Sequence, residues 1–478
     1  MTSPNNSTMV AVEQSKSLHI AGAQEPPERV LIGAAHLSDL LSALARKHQI
    51  PGAQLAIHYA GETVAVEVGE LCYGTGRQVT RHASFPIGSI TKTLTATLAM
   101  ILVADGDIEL DAPLGDYLPE LTDLGAQLTL RQVLSHTGGF ADPGGDEMST
   151  ISMQRYVLRH CRRHNLVLPP GAGFSYSNLG YVLVGHLIET ITGMSWWESM
   201  ESILLQPLGI EPTFIAAPDP RPPGRPIATG HSVNPAVGRT RPVDQSLALA
   251  EGPVGALAMS AVDLVELGMI HVGAGRPDLL PATYAEQMRQ AIPGADPFGL
   301  ADGWGLGLAL FRGASDEWVG HDGNADGTAC YLRVDPANDC VVAFTSNANI
   351  GLAMWQDLLA ELSRTGLPIT SYSTIEALGR PTAQPPGCVG GYVNGDTEYV
   401  VTAPENGHCH LAVDGEVVAR LTFYESLIFS QQDVASGQWM HAGRCIQGPT
   451  TGDISGIQVN GRVARRRQSH KCERTIRL

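Results

Sequence analysis

The chain has 478 residues, of which 43% are apolar and 17% charged, and it carries a formal net charge of −17. This length predicts two or three domains with a sizeable core, and the composition is globular, not disordered. The acidic balance argues against nucleic acid or an anionic membrane as partner, and its plainer effect is solubility.

No window is apolar enough for a transmembrane helix. The first thirty residues lack the basic start and apolar stretch of a signal peptide. Eight cysteines, at positions 72, 161, 330, 340, 388, 409, 445 and 472, form neither a CxxC pair nor a Cys/His cluster with zinc spacing. These features predict a cytoplasmic protein with reduced thiols.

Residues 1–30 read as a flexible leader. An amphipathic helix is predicted from Ala34 to His48, with Leu37, Leu40, Leu41 and Leu44 on one face. Strand-like runs Ala53–Tyr59 and Glu62–Val68 follow, joined by Ala60-Gly61 as a hairpin. Residues 89–290 read as helical and loop-rich, with strong helical runs Ser89–Ala104 and Leu179–Thr192. Strands return at Leu306–Phe311, Glu317–His321, Thr328–Val334 and Cys340–Ser346, and a helix at Gly351–Leu362. Strands from both ends of this region are therefore expected in one antiparallel sheet, with the intervening helices packed on it: an α/β (α+β) domain over residues 31–366.

Residues 367–387 carry Pro368, Pro381, Pro385 and Pro386 and read as a linker. From 388 to 478, short strand-like runs alternate with turns: Tyr392–Thr402, Cys409–Val413, Val417–Phe423, Leu427–Ser430, Met440–Cys445 and Ile454–Arg465. Short strands at regular spacing without a helix predict a small antiparallel β-barrel. Between Gly461 and Leu478, seven basic residues stand against Glu473 alone, and the last half of this stretch reads as a solvated tail.

Three short motifs carry the chemistry. In Gly88-Ser89-Ile90-Thr91-Lys92, a serine at a helix start and a lysine three residues on share one helical face. A serine hydroxyl is a weak nucleophile until a neighbour takes its proton. A lysine whose pKa is lowered by burial can do so, and a helix N-terminus favours a developing oxyanion. The spacing alone is weak, since an N-cap with an exposed lysine would produce it. The flanking Phe85-Pro86-Ile87 and the apolar helix that follows predict a buried lysine. In Tyr176-Ser177-Asn178, after the Pro169-Pro170-Gly171 turn, Tyr176 can relay a proton and Asn178 can hold a substrate amide or fix the lysine; a helix cap beside a packed tyrosine is the alternative. In Gly320-His321-Asp322-Gly323, a strand-edge glycine lets a substrate backbone approach closely. The order of the three motifs, each at a structural junction, carries more weight than any one of them.

Residues 34–365 thereby resemble the serine β-lactamase and penicillin-binding-protein superfamily, which includes D,D-peptidases, D-aminopeptidases, esterases and acyltransferases. Stretches 128–139 (LTLRQVLSHTGG), 252–264 and Gly303-Trp304-Gly305-Leu306-Gly307 add to the resemblance. It implies Ser89 as nucleophile, Lys92 as its base, Tyr176 as proton relay and Asn178 as ligand of substrate and lysine. It also implies an oxyanion hole from the backbone N–H groups of Ser89 and Asn324, with Gly323 and Trp304 in the substrate site. His321 stands where the superfamily has a lysine, a departure that weighs against β-lactamase activity.

The absence of an export signal, His321 and the C-terminal barrel together resemble the penicillin-binding-protein-type thioesterases, in which a lipocalin-like domain follows the catalytic one. Met194-Ser195-Trp196-Trp197 and residues 297–304 point the same way. The resemblance implies release and head-to-tail cyclisation of a non-ribosomal peptide. The substrate would be a phosphopantetheine thioester on a carrier protein, with a D-residue at the acyl position and no metal or cofactor. The alternatives are a hydrolase of the same superfamily (D-aminopeptidase, esterase or β-lactamase-like) and a non-catalytic binding protein of the same fold. In the last strand, alternation places Val463 and Arg465 on one face and Arg462 on the other. One of these arginines is expected at the mouth of the site, as a carboxylate ligand, against the reading of a solvated basic strand.

Overall fold

The structure is a computed structural model. It describes residues 33–467 except 144–150, 219–223, 314–315, 368, 370–371, 373–377, 404–406, 435–436, 438, 441 and 449–451. The predicted leader, part of the predicted linker and the basic tail beyond 467 lie outside the described residues.

A seven-stranded antiparallel sheet forms the centre. Its order is Glu62–Gly69, Gly52–Tyr59, Cys340–Ser346, Thr328–Asp335, Glu317–Ala325, Ala309–Arg312 and Gly303–Trp304. Strands from both ends of the 31–366 region meet, with Ala53 opposite Ser346 and Tyr59 opposite Cys340. Side chains alternate across the sheet as the pleat requires. Leu332, Val334, Val341 and Ala343 point into one core with Leu264, Val265 and Leu267 of the helix Ala261–Gly268. Tyr331, Val342 and Phe344 point into a second core, with Leu37 and Leu41 of Ala34–His48 and Trp355 and Leu358 of Gly351–Arg364. Tyr331 and Trp355 stack there at 5.0 Å and 4°. With both faces covered, every residue of Cys340–Ser346 is buried.

The helix Thr91–Ala104 is buried on all sides from Thr91 to Leu102, as an apolar run without an amphipathic stripe requires. Its threonines are satisfied by carbonyls: Thr93 donates to Gly307 at 2.8 Å and Thr95 to Pro253 at 2.9 Å. Ser89 precedes the helix in the 3-10 turn Gly88–Ile90.

Several expectations need correction. The segment 89–290, read as helical and loop-rich, also holds a hairpin, Gly230–Asn234 with Arg239–Val243, and the strand Ala258–Met259, which pairs with Phe85–Pro86 just before the segment. The strand expected to end at His321 continues to Ala325. The runs 392–402 and 454–465 are each two strands, folded at Gly395-Asp396 and Asn460-Gly461. Both central residues of the second turn have positive φ, 49° and 73°, the type I′ geometry that Asn-Gly favours.

The eight C-terminal strands, from Gly390–Asn394 to Arg462–Arg466, close into a barrel by pairing Tyr392 with Arg466 and Val393 with Arg465. Tyr392, Phe423 and Phe429 fill its interior. Residues preceding it lie along it, and Thr382 N–H donates to the Phe423 carbonyl at 2.8 Å. Barrel and catalytic region form one compact unit. Tyr176 N–H donates to the Gly461 carbonyl at 3.0 Å, and Arg444 pairs with Asp296 at 2.7 Å. Among the described residues, no helix is long and apolar enough to cross a membrane.

The strand of the third motif is pressed against the turn that holds Ser89. A Cβ on Gly88 would lie 2.2 Å from the Asn324 carbonyl oxygen, and one on Gly323 1.9 Å from the Ile87 carbonyl oxygen. Gly88 also has φ +51°. Gly88→Ala is therefore expected to cost more than about 1 kcal/mol of stability. It should also displace Ser89; a thermal melt together with ester labelling of the serine checks both effects.

Candidate active site

The Ser89–Lys92 pair forms as the spacing predicts. Lys92 is wholly buried. Its Nζ donates to Ser89 Oγ at 2.9 Å and to the Val254 carbonyl at 3.3 Å. Burial, and secondarily the positive charge of Arg462, push its pKa down from 10.5 to about 7; Asp142 and Glu251 oppose this. A substantial fraction is thus neutral near pH 7 and carries a lone pair beside the serine proton. The lysine is held by Val254 and not by Asn178, in contrast to the expected Asn178 contact. Asn178 instead lines the cavity at the first position of the helix Asn178–Thr192.

Tyr176 reaches the same serine. Its hydroxyl faces Ser89, and burial raises its pKa to about 12, so it remains a proton donor. Lys92 Nζ and Arg462 Cζ each lie 5.1 Å from the centroid of its ring. The His136 ring packs on it at 4.3 Å.

His321 is neutral, its pKa pushed down to about 4 by burial and then by Lys92. Its Nδ1 lies 2.6 Å from the Asp322 carbonyl. A carbonyl only accepts, so Nδ1 carries the proton and Nε2 holds the lone pair. That Nε2 is buried and has no partner among the described residues. The position taken by a cationic lysine in the family thus offers a hydrogen-bond acceptor. The Trp304 ring stands edge-on to it at 5.3 Å.

These groups open on one cavity of about 400 Å³, lined by Ser89, Tyr176, Asn178, Trp304, His321, Asn324 and Arg462, with Leu300, Phe311 and Asn460 adding to the wall. Gly323 is not part of that lining. Its missing side chain makes room for the Ile87 carbonyl, not for substrate as expected, and the Asn324 backbone lies against Gly88, the residue before Ser89. Arg462 is the barrel arginine that reaches the site. Arg465, on the other face of the strand, bonds to the Val167 carbonyl, so neither is a merely solvated charge.

Sequence reasoning assigned no role to His136, Asp142 or Glu251. His136, at φ +57°, receives the Ser175 N–H on its carbonyl at 2.9 Å and the Ser177 N–H on Nδ1 at 3.2 Å, bracketing Tyr176. Asp142 joins Arg462 to the start of the Asn178–Thr192 helix. Glu251 is raised to about 6 by burial, near Lys92. His136 lies within the 128–139 stretch that carried the resemblance. Asp142 sits in an irregular segment with no motif around it, and Glu251 ends the 3-10 turn Leu249–Glu251, one residue before the 252–264 stretch.

Neutral Lys92 is the form that accepts the Ser89 proton. The acylation rate is therefore expected to rise with pH through about 7 and to stay high well into the alkaline range, because Tyr176 keeps its proton until about 12. Lys92→Arg keeps the charge but removes the base, and is expected to lower the rate by roughly 10²–10⁴-fold. Stopped-flow acylation by an activated ester over a pH series measures both.

The beta-lactamase family model matches residues 37–361. Penicillin-binding protein 4 of Amycolatopsis lactamdurans is 33% identical over 348 residues, covering 69% of this chain and 89% of the relative. The solved structure of SurE matches with a TM-score of 0.80 at 38% identity, over 91% of this chain and 99% of SurE, so the similarity continues into the barrel. The D-amino acid amidase of Ochrobactrum anthropi SV3 matches with a TM-score of 0.55 at 26% identity, over 65% of this chain and 91% of the amidase. The matched span contains Ser89, Lys92, Tyr176 and His321 in the arrangement described above, and the chain belongs to the beta-lactamase and penicillin-binding-protein superfamily.

Proposed function

We propose that the protein is a serine acyltransferase that releases a non-ribosomal peptide from a carrier-bound thioester and cyclises it head to tail, with a D-residue at the acyl position. The observation that carries this reading is a neutral His321, with a free Nε2 lone pair, facing the same cavity as Ser89 and Arg462. An amine nucleophile needs a hydrogen-bond acceptor that turns its lone pair toward the ester, and His321 Nε2 offers one.

In this mechanism Lys92 Nζ takes the Ser89 proton as Oγ attacks the thioester carbonyl. The backbone N–H groups of Ser89 and Asn324 receive the oxyanion. The C–S bond breaks, and the thiol leaves with the proton relayed from Lys92 through Tyr176. The peptide's own amine, directed by His321, then attacks the Ser89 ester. Its proton returns through Tyr176 and Lys92 to Ser89 as the C–O bond breaks and the lactam forms. Asn178 and Arg462 hold the acyl chain by its amides or a carboxylate, and Trp304 forms an apolar wall.

The partner is a peptidyl carrier protein bearing phosphopantetheine. The site of action is the cytoplasm, where the described cysteines would stay as free thiols. The similarity to SurE over both domains supports this reading, as does the existence of a SurE structure with D-Leu. The similarity to a D-amino acid amidase favours a second reading, hydrolysis at a D-residue. The two differ in the final acceptor, amine or water.

A linear peptidyl thioester ending in a D-residue is the deciding substrate. The expected product has lost only the thiol, Ser89→Ala gives none, and an L-residue at that position lowers the yield. A product heavier by one water as the sole outcome would replace cyclisation with hydrolysis.

A further inference from the structure

Asp142 stands where the loop after Phe140, the start of the Asn178–Thr192 helix and the barrel converge. Barrel residues fix its backbone. Its N–H donates to Asn394 Oδ1 at 2.9 Å, while Asn394 Nδ2 donates to the Val463 carbonyl at 2.8 Å. Its own carbonyl occupies the space where Gly395 lacks a side chain, 2.0 Å from where a Cβ would lie.

The carboxylate then divides its two oxygens. Oδ1 accepts from Asn178 N–H at 2.6 Å and from Ser177 Oγ at 3.0 Å, a remote anion at a helix N-terminus. Oδ2 accepts from Arg462 Nε at 2.9 Å. The carboxylate is 14% exposed and the Arg462 side chain 27%, so the pair is shielded but opens to the cavity. With Nε engaged, the two terminal nitrogens of Arg462 have no hydrogen bond to the described residues and remain for a ligand.

We propose that Asp142 is a positioning residue that fixes the spacing between Asn178 and the free edge of the Arg462 guanidinium, and so sets the site in which an acyl chain lies between helix and barrel. This holds whichever nucleophile finally takes the acyl group. It borrows from the proposed function only the acyl chain itself. One half-buried charge thus aligns two ligands that come from positions 178 and 462 of the chain.

The consequence can be measured at Lys92, which is faced by Arg462, Asp142, Glu251, Tyr176, Tyr181 and His321. Asp142 favours the ammonium form and Arg462 disfavours it. The probes are p-nitrophenyl esters of an N-acylated D-amino acid and of acetate, used with the full chain. Asp142→Asn is expected to slow acylation by the amino-acid ester by roughly 10²-fold, the scale of a misplaced substrate, and to slow the acetyl ester far less. The acid limb should move to lower pH in Asp142→Asn and to higher pH in Arg462→Met.

A limb that moves upward in Asp142→Asn would mean that water has reached Lys92 and that the carboxylate only packs; that result overturns the proposal. Equal losses with both esters overturn it too. Should Asp142→Asn not accumulate in folded form, Arg462→Met decides, and an unmoved limb or an equal effect on the two esters counts against the proposal. Failure of thioester cyclisation while ester labelling persists would count against the proposed function alone.

Discussion

Everything in this molecule depends on keeping the amine of Lys92 out of water beside Ser89. Lowering its pKa from 10.5 to about 7 corresponds to disfavouring the ammonium form by about 5 kcal/mol. A single surface helix could not impose that. The nucleophile helix is therefore buried on every side, with its threonine hydroxyls returned to backbone carbonyls so that no polar group is stranded. The helices Asn178–Thr192 and Gly252–Gly255 and the turn Met200–Leu205 supply its walls.

The same burial links stability to pH. Between about 7 and 10.5 the unfolded chain binds a proton at this lysine that the folded chain does not. By itself the group therefore contributes stability that grows as pH rises through that window and is lost as pH falls to about 7. Below about 7 both states are protonated and its contribution is constant. Arg462 and Asp142 tune the position of this window from opposite directions.

The catalytic sheet and the long helices are legible in the sequence because both follow from apolar periodicity, from Leu37 and Leu41 on the first helix to the alternation of Tyr331 and Leu332 in the sheet. Ser89, Lys92, Tyr176 and His321 are legible because each sits at a junction that the motifs mark. The two barrel runs 392–402 and 454–465 read as single strands because their apolar pattern resumes after Gly395-Asp396 and Asn460-Gly461, where the turn residues were the better signal. Asp142 is silent in sequence because its partners are 36 and 320 positions away. The use of Gly323 is likewise hidden, since only the fold brings Ile87 against it.

The turn at Gly461 touches the catalytic region through a main-chain carbonyl that receives the Tyr176 N–H. Such a bond is indifferent to side-chain identity but demanding in position. The barrel is therefore a poor candidate for free exchange between relatives, although its topology is that of an independent module. A recombinant that imports a foreign barrel keeps its catalytic tyrosine in place only if the incoming hairpin tip has the same length and turn type. Away from this tip, from Arg462 and from the Asn394-Gly395 segment that seats Asp142, the barrel surface is far less constrained by the active site and is free to diverge.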